Sequence, residues 1–133
     1  MTEKNKIIME NLFGYIKVGR LNKKIADKIG RKAADIFVEY NHLRHIENRR
    51  GEYLKSINLN ALLYIKKIVD NFSEIREGRN DTLLLIAYIY ENKHNNMAVI
   101  ELSLSLESPI YLVKTAMPRR ITKVNNEIIL WQK

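Results

Sequence analysis

The sequence predicts an α+β domain, with N-terminal helices packed on a C-terminal antiparallel β-meander of four to five strands. Three observations carry that prediction. Apolar residues recur at helical spacing in the first half, most clearly at 59, 62, 63, 65, 68, 69 and 72. Alternation takes over in the second half, where Ala98, Ile100, Leu102, Leu104 and Leu106 interleave with Met97, Val99, Glu101, Ser103 and Ser105 as in a half-exposed strand. Polar clusters, Arg79-Asn80-Asp81 and His94-Asn95-Asn96, separate the apolar runs of that half, as hairpins require. With 133 residues, no internal repeat and no low-complexity linker, the chain reads as one domain over 1–133, in which 1–12 form a flexible or helical N-terminal extension.

Each element has a local reason. Tyr15-Ile16-Lys17-Val18, between Gly14 and Gly19, reads as a short strand. Asn22 is placed to cap a helix that runs to about Ile29 and is closed by Gly30. Asp35–Tyr40 is rich in β-forming residues and precedes Asn41, an N-cap for a helix that Gly51 then ends. The apolar spacing predicts a helix over 58–71, with Lys66 and Lys67 on its outer side. Strands follow at about 73–78, 82–91, 96–106, 109–117 and 127–132. Tyr88 and Tyr90 fall on a strand and read as packing residues, and Trp131 as core.

Composition narrows the function classes. There are 23 Lys and Arg against 15 Asp and Glu, a net charge of +8, which biases partners towards polyanions, nucleic acid first among them. Zero cysteines exclude a disulfide framework, a thiol nucleophile and any Cys-based zinc site. No metal site and no cofactor are expected, since only three histidines are present and His94 lies in the polar loop. No apolar run spans a bilayer and the N-terminus lacks a signal-peptide core, so the expectation is a soluble, cytoplasmic protein without a membrane partner.

The stretch His42-Leu43-Arg44-His45-Ile46-Glu47-Asn48-Arg49-Arg50-Gly51 carries the most chemistry. On a helix, positions 42, 45, 49 and 52 fall in a sector of roughly 80°, while Leu43 and Ile46 point to a core. Imidazole titrates near neutral pH and guanidinium is the usual anchor for phosphate, so the pair suggests phosphodiester chemistry. A second segment, Tyr111-Leu112-Val113-Lys114-Thr115-Ala116-Met117-Pro118-Arg119-Arg120, delivers a cation and a hydroxyl where Pro118 is expected to break a strand, with two guanidiniums in the following loop. Cations of this kind offset the negative charge that grows on phosphate oxygens during transfer. Sequence leaves open whether the two segments meet.

The order strand, His-bearing helix, second helix and a late strand ending in Lys114-Thr115 resembles the phage-associated branch of the barnase, EndoU, colicin and RelE group of ribonucleases, over about residues 14 to 132. In that branch the helix carries a segment like His-Ile-x-x-x-His; here His42-Leu43-Arg44-His45-Ile46 is followed by Arg49-Arg50 where a further His is often seen. The resemblance implies metal-independent RNA cleavage by attack of the 2′-OH on the adjacent phosphate. It assigns acid or base duty to His45 with His42 in reserve, the phosphate to Arg49 and Lys114, and a positioning hydrogen bond to Thr115. Arg50, Arg119 and Arg120 become binders of flanking phosphates, and Tyr53 or Tyr111 a stacking surface for a base. It further implies a toxin or phage effector acting in the cytoplasm, delivered into a target cell or carried by a phage, with an immunity or antitoxin protein as neutralising partner.

Other readings stand beside this one. A non-catalytic nucleic-acid-binding module, or a phage or mobile-element structural protein, satisfies the same basic composition. The histidines, Lys114 and Thr115, and Arg119 with Arg120, are also ordinary surface residues, and Glu47 and Glu52 are expected to pair with Arg44 or Arg49 along the helix.

Overall fold

The computed structural model describes residues 14–88, 96–105, 109–120 and 127–133, with Asn96 and Arg120 described in their backbone alone. The chain opens on strand β1 (Tyr15–Leu21), helix α1 (Lys23–Lys28) and strand β2 (Ala34–Glu39). Helices α2 (Tyr40–Ser56) and α3 (Ala61–Asn71) follow. Strands β3 (Glu74–Glu77), β4 (Leu83–Tyr88), β5 (Asn96–Leu104), β6 (Tyr111–Arg120) and β7 (Ile129–Gln132) come next, with a 3-10 turn at Arg79–Asp81.

Among the described residues, seven strands form one mixed sheet in the order β1-β2-β6-β5-β4-β3-β7. Only β2 and β6 run parallel. This corrects the predicted layout of N-terminal helices on a C-terminal antiparallel meander: the helices lie between strands, and two N-terminal strands belong to the sheet. The cause is non-local. Ile36 and Phe37 pair with Tyr111 and Leu112, a register that no hydrophobic pattern within either segment encodes.

Local chemistry fixes the helix ends. The Asn22 side chain accepts the Ile25 N–H at 2.9 Å, and that of Asn60 accepts the Leu63 N–H at 2.8 Å, satisfying first-turn donors of α1 and α3. Helix α2 behaves differently from expectation at both ends. Its N-cap is Glu39 without a side-chain bond, not Asn41, and the Tyr40 N–H donates to the Gly14 carbonyl at 2.7 Å. It also runs straight through Gly51. The stop is Asn58, in the left-handed region at φ 59°, where Leu59 N–H reaches Leu54 O at 2.9 Å and Asn58 N–H reaches Lys55 O at 3.1 Å. That pair of bonds is a Schellman motif, which Asn supports nearly as Gly does.

Gly51 is therefore a mid-helix glycine, and a Cβ added there meets open space. Gly51→Ala is expected to stabilise the protein by about 0.5–1 kcal/mol, because alanine gives up less backbone entropy on folding. Urea unfolding of the two proteins checks the sign. Gly19 is the opposite case: a Cβ there would overlap Val69 Cγ1, so the glycine lets α3 approach β1.

The main core fills the space between the helices and one face of the sheet, with Leu21, Ile36, Val38, Leu54, Ile65, Ile68, Ile75, Leu85, Ile100 and Leu102 nearly solvent-free. Leu84, Ile86, Met97 and Val99 form a smaller buried cluster on the other face. Strand β5 is thus buried on both faces around 97–100 rather than half-exposed. Trp131 of β7 packs edge-on against Phe72, ring centroids 5.5 Å apart, and Tyr88 keeps partial exposure while its hydroxyl donates to Glu74.

Candidate active site

The chain leaves β2 at Glu39 and enters α2 at Tyr40. Because β6 is the neighbour of β2, a helix returning from the end of β2 passes along β6. Leu43, Ile46 and Leu54 bury one stripe of α2 against the sheet, and this holds the adjoining flank, with His42, His45 and Arg49, towards β6.

Between that flank and β6 lies an open cleft of about 140 Å³. Helix α2 lines it with His42, His45, Ile46, Arg49 and Arg50; β6 lines it with Lys114, Thr115, Ala116 and Met117. The two segments singled out in the sequence line one cavity together, so His45 and Lys114 border the same space. His42 is half-buried, whereas His45, Arg49 and Lys114 are exposed.

Lys114 owes its place to a bulge. In the β5–β6 ladder Glu101 pairs with Thr115 and Leu102 with Val113, so Lys114 is the extra residue with no cross-strand partner. Bulges bend a strand and re-aim a side chain, and here the residue so treated is a cation of the cleft. Thr115 sits at the cleft edge opposite Glu101.

Among the described residues, no carboxylate lines the cleft. Glu47, expected to pair with an arginine, instead accepts the Ala61 N–H at 2.7 Å and ties α3 to α2. The described lining of the cavity therefore brings together arginine, lysine and histidine side chains with no acid among them, an arrangement that draws an anion. Among the described residues no group of three or more His, Asp or Glu side chains could hold a metal ion, and no helix is long and apolar enough to cross a membrane.

Other expected contributors lie elsewhere. Tyr111 is only 2 % exposed, and its hydroxyl donates to the Lys32 carbonyl at 2.8 Å, so it is a core residue and offers no face to a base. Tyr53 is half-buried and edge-on to Tyr64, centroids 6.3 Å apart, outside the cleft lining. Burial pushes the Tyr64 hydroxyl far above its ordinary value of 10.0, and the Arg50 guanidinium opposes that rise. Strand β6 continues through Pro118, so Arg119 is a strand residue; it lies 3.8 Å from Glu127 and does not line the cleft. The side chain of Arg120, His94 and the N-terminal extension 1–12 fall outside the described residues.

Ile46 is a core residue as expected and also lines the cleft, as do Ala116 and Met117, to which the sequence assigns no role. Alternation placed no weight on them because apolar strand residues carry no chemical signal. Compared with known proteins, the chain matches no family model, no curated protein and no solved structure.

Proposed function

We propose that the chain is a metal-independent ribonuclease-like domain and that the cleft between α2 and β6 is its active site. The single observation that carries this reading is the convergence of His42 and His45 with Arg49, Arg50 and Lys114 around one cavity, with no carboxylate among its described lining residues. Cleavage by the 2′-OH needs a base for that hydroxyl, an acid for the 5′ leaving oxygen and cations for the phosphorane. His45, exposed at the cleft mouth, takes acid or base duty with His42 as its counterpart, while Arg49 and Lys114 hold the phosphate and Arg50 a flanking one. Thr115 orients the substrate from the cleft edge.

The same positive cleft also favours a second reading, a nucleic-acid-binding module without catalysis. The imidazoles separate the two, since binding phosphate requires only the fixed cations. A chain with this activity in the cytoplasm would meet abundant RNA, and so calls for a neutralising immunity or antitoxin partner and fits a toxin or phage effector.

Incubating the purified protein with total RNA in EDTA tests the reading. The expected result is fragments ending in 2′,3′-cyclic phosphate, formed as readily with the chelator as without. An intact RNA pool from folded protein would reject catalysis and leave the binding module.

A further inference from the structure

Strand β6 changes character along its length. At Tyr111 and Leu112 it is a central strand, flanked by β2 on one side and β5 on the other. The β2 ladder stops there, so from Val113 onward the side of β6 towards α2 is a sheet edge among the described residues. Lys114 to Met117, the residues that line the cleft, lie on that edge. Four consecutive residues line it, irrespective of which sheet face each serves, which is what a strand viewed along its edge presents.

In an antiparallel pair, successive residues turn their N–H and C=O groups alternately towards the partner strand and away from it. Proline has no N–H to give to a ladder and is confined to positions whose nitrogen faces away. Pro118, opposite Ala98, therefore marks the outward-facing set, and Ala116, two residues earlier and opposite Ile100, belongs to the same set. The bulge at Lys114 falls outside this interval and leaves the alternation between 116 and 118 intact.

Resting on the ribonuclease reading, we propose that the main-chain N–H of Ala116 is a donor of the cleft that holds a non-bridging oxygen of the scissile phosphate. Ala116 lines the cavity opposite α2 together with Lys114, His42 and His45, and its outward-facing N–H lies on that side of the strand. A backbone amide fixed in a sheet costs nothing to reorient as charge builds on the phosphorane, which is why such donors contribute most in the transition state. An alanine serves well here: the residue as a whole is 4 % exposed and belongs to the core, so the peptide is held rigidly, and its Cβ is the smallest that a side chain can present.

An amide-to-ester replacement at Ala116 removes this N–H and keeps the side chain; Ala116→Pro is the genetic counterpart, at an edge that already accepts Pro118. With thermal melts reporting that the variant is folded, the ester is expected to lower kcat on RNA by about 10²–10³-fold, the usual effect of losing one oxyanion donor. Its affinity for a non-cleavable 2′-O-methyl oligonucleotide should fall only about threefold, because the ground-state phosphate gains less from the bond. A folded ester variant with unchanged kcat would overturn the proposal. If the natural protein binds the oligonucleotide without cleaving RNA, the ribonuclease reading fails by itself: a threefold loss of affinity in the ester then still supports the donor, and equal affinity overturns it. A protein that neither cleaves nor binds removes both.

Discussion

His45→Gln is expected to lower the rate of RNA cleavage by about 10²–10⁴-fold, the range that a positioned proton-transfer group contributes. Glutamine keeps comparable bulk and a hydrogen-bonding end but cannot carry a proton at neutral pH. His45 is exposed on α2, away from the buried stripe of Leu43, Ile46 and Leu54, so the substitution should leave the fold intact. Binding of 2′-O-methyl RNA should change by less than about threefold, because Arg49, Arg50 and Lys114 remain to hold the phosphates. Lys114→Ala is the informative contrast, weakening binding and making the salt dependence shallower. Initial rates and equilibrium titrations on the two variants distinguish proton carrier from phosphate anchor. Equal cleavage by His45→Gln and the natural protein would remove His45 from the chemistry.

Glu74→Ala is expected to destabilise the protein by about 3–5 kcal/mol, the cost of stripping one member from a buried ion pair. Glu74 and Arg76 are 2 % and 7 % exposed on β3, and an Arg76 guanidinium nitrogen donates to Glu74 Oε1 at 2.9 Å. The other carboxylate oxygen accepts the Tyr88 hydroxyl, so this one side chain joins β3 to β4 as well as holding the guanidinium. Its removal leaves a charge desolvated without that carboxylate. Against a total stability of about 5–15 kcal/mol for a domain of this kind, such a loss is visible in any urea titration. The double variant Glu74→Leu with Arg76→Met should recover much of the stability, since matched apolar replacement removes both buried charges together. A single Glu74→Ala variant within about 1 kcal/mol of the natural protein would mean that the pair is not buried as described.

These two residues show how differently the sequence spoke. The His-bearing face was legible because 3.6-residue periodicity groups 42, 45 and 49 within a single segment, and the cap Asn22 because its chemistry acts within three residues; the cap Asn60 lies inside the expected helix 58–71. The helix end was misread at Gly51, since a glycine signals a stop only when the chain must turn left-handed, and here Asn58 makes that turn. What brings α2 to β6 is the parallel pairing of Ile36 and Phe37 with Tyr111 and Leu112, a register set by tertiary packing and invisible to local pattern. The bulge that strands Lys114, the continuation of β6 through Pro118 and the burial of Tyr111 all depend on that same non-local sheet. Glu74 and Arg76 carry no local signal of burial, because it is the sheet that encloses them.

The central claim is that α2 and β6 build one phosphodiester-binding cleft, and its most direct test is NMR titration with a 2′-O-methyl oligonucleotide that binds but cannot be cleaved. The account predicts that the imidazole signals of His42 and His45 and the side-chain signals of Lys114 shift together along a single binding curve, while Glu74 and Arg76, enclosed in the sheet away from the cleft, stay still. Shifts confined to another basic surface, such as Lys23, Lys24 and Lys28 of α1, with both imidazoles unmoved, would contradict it.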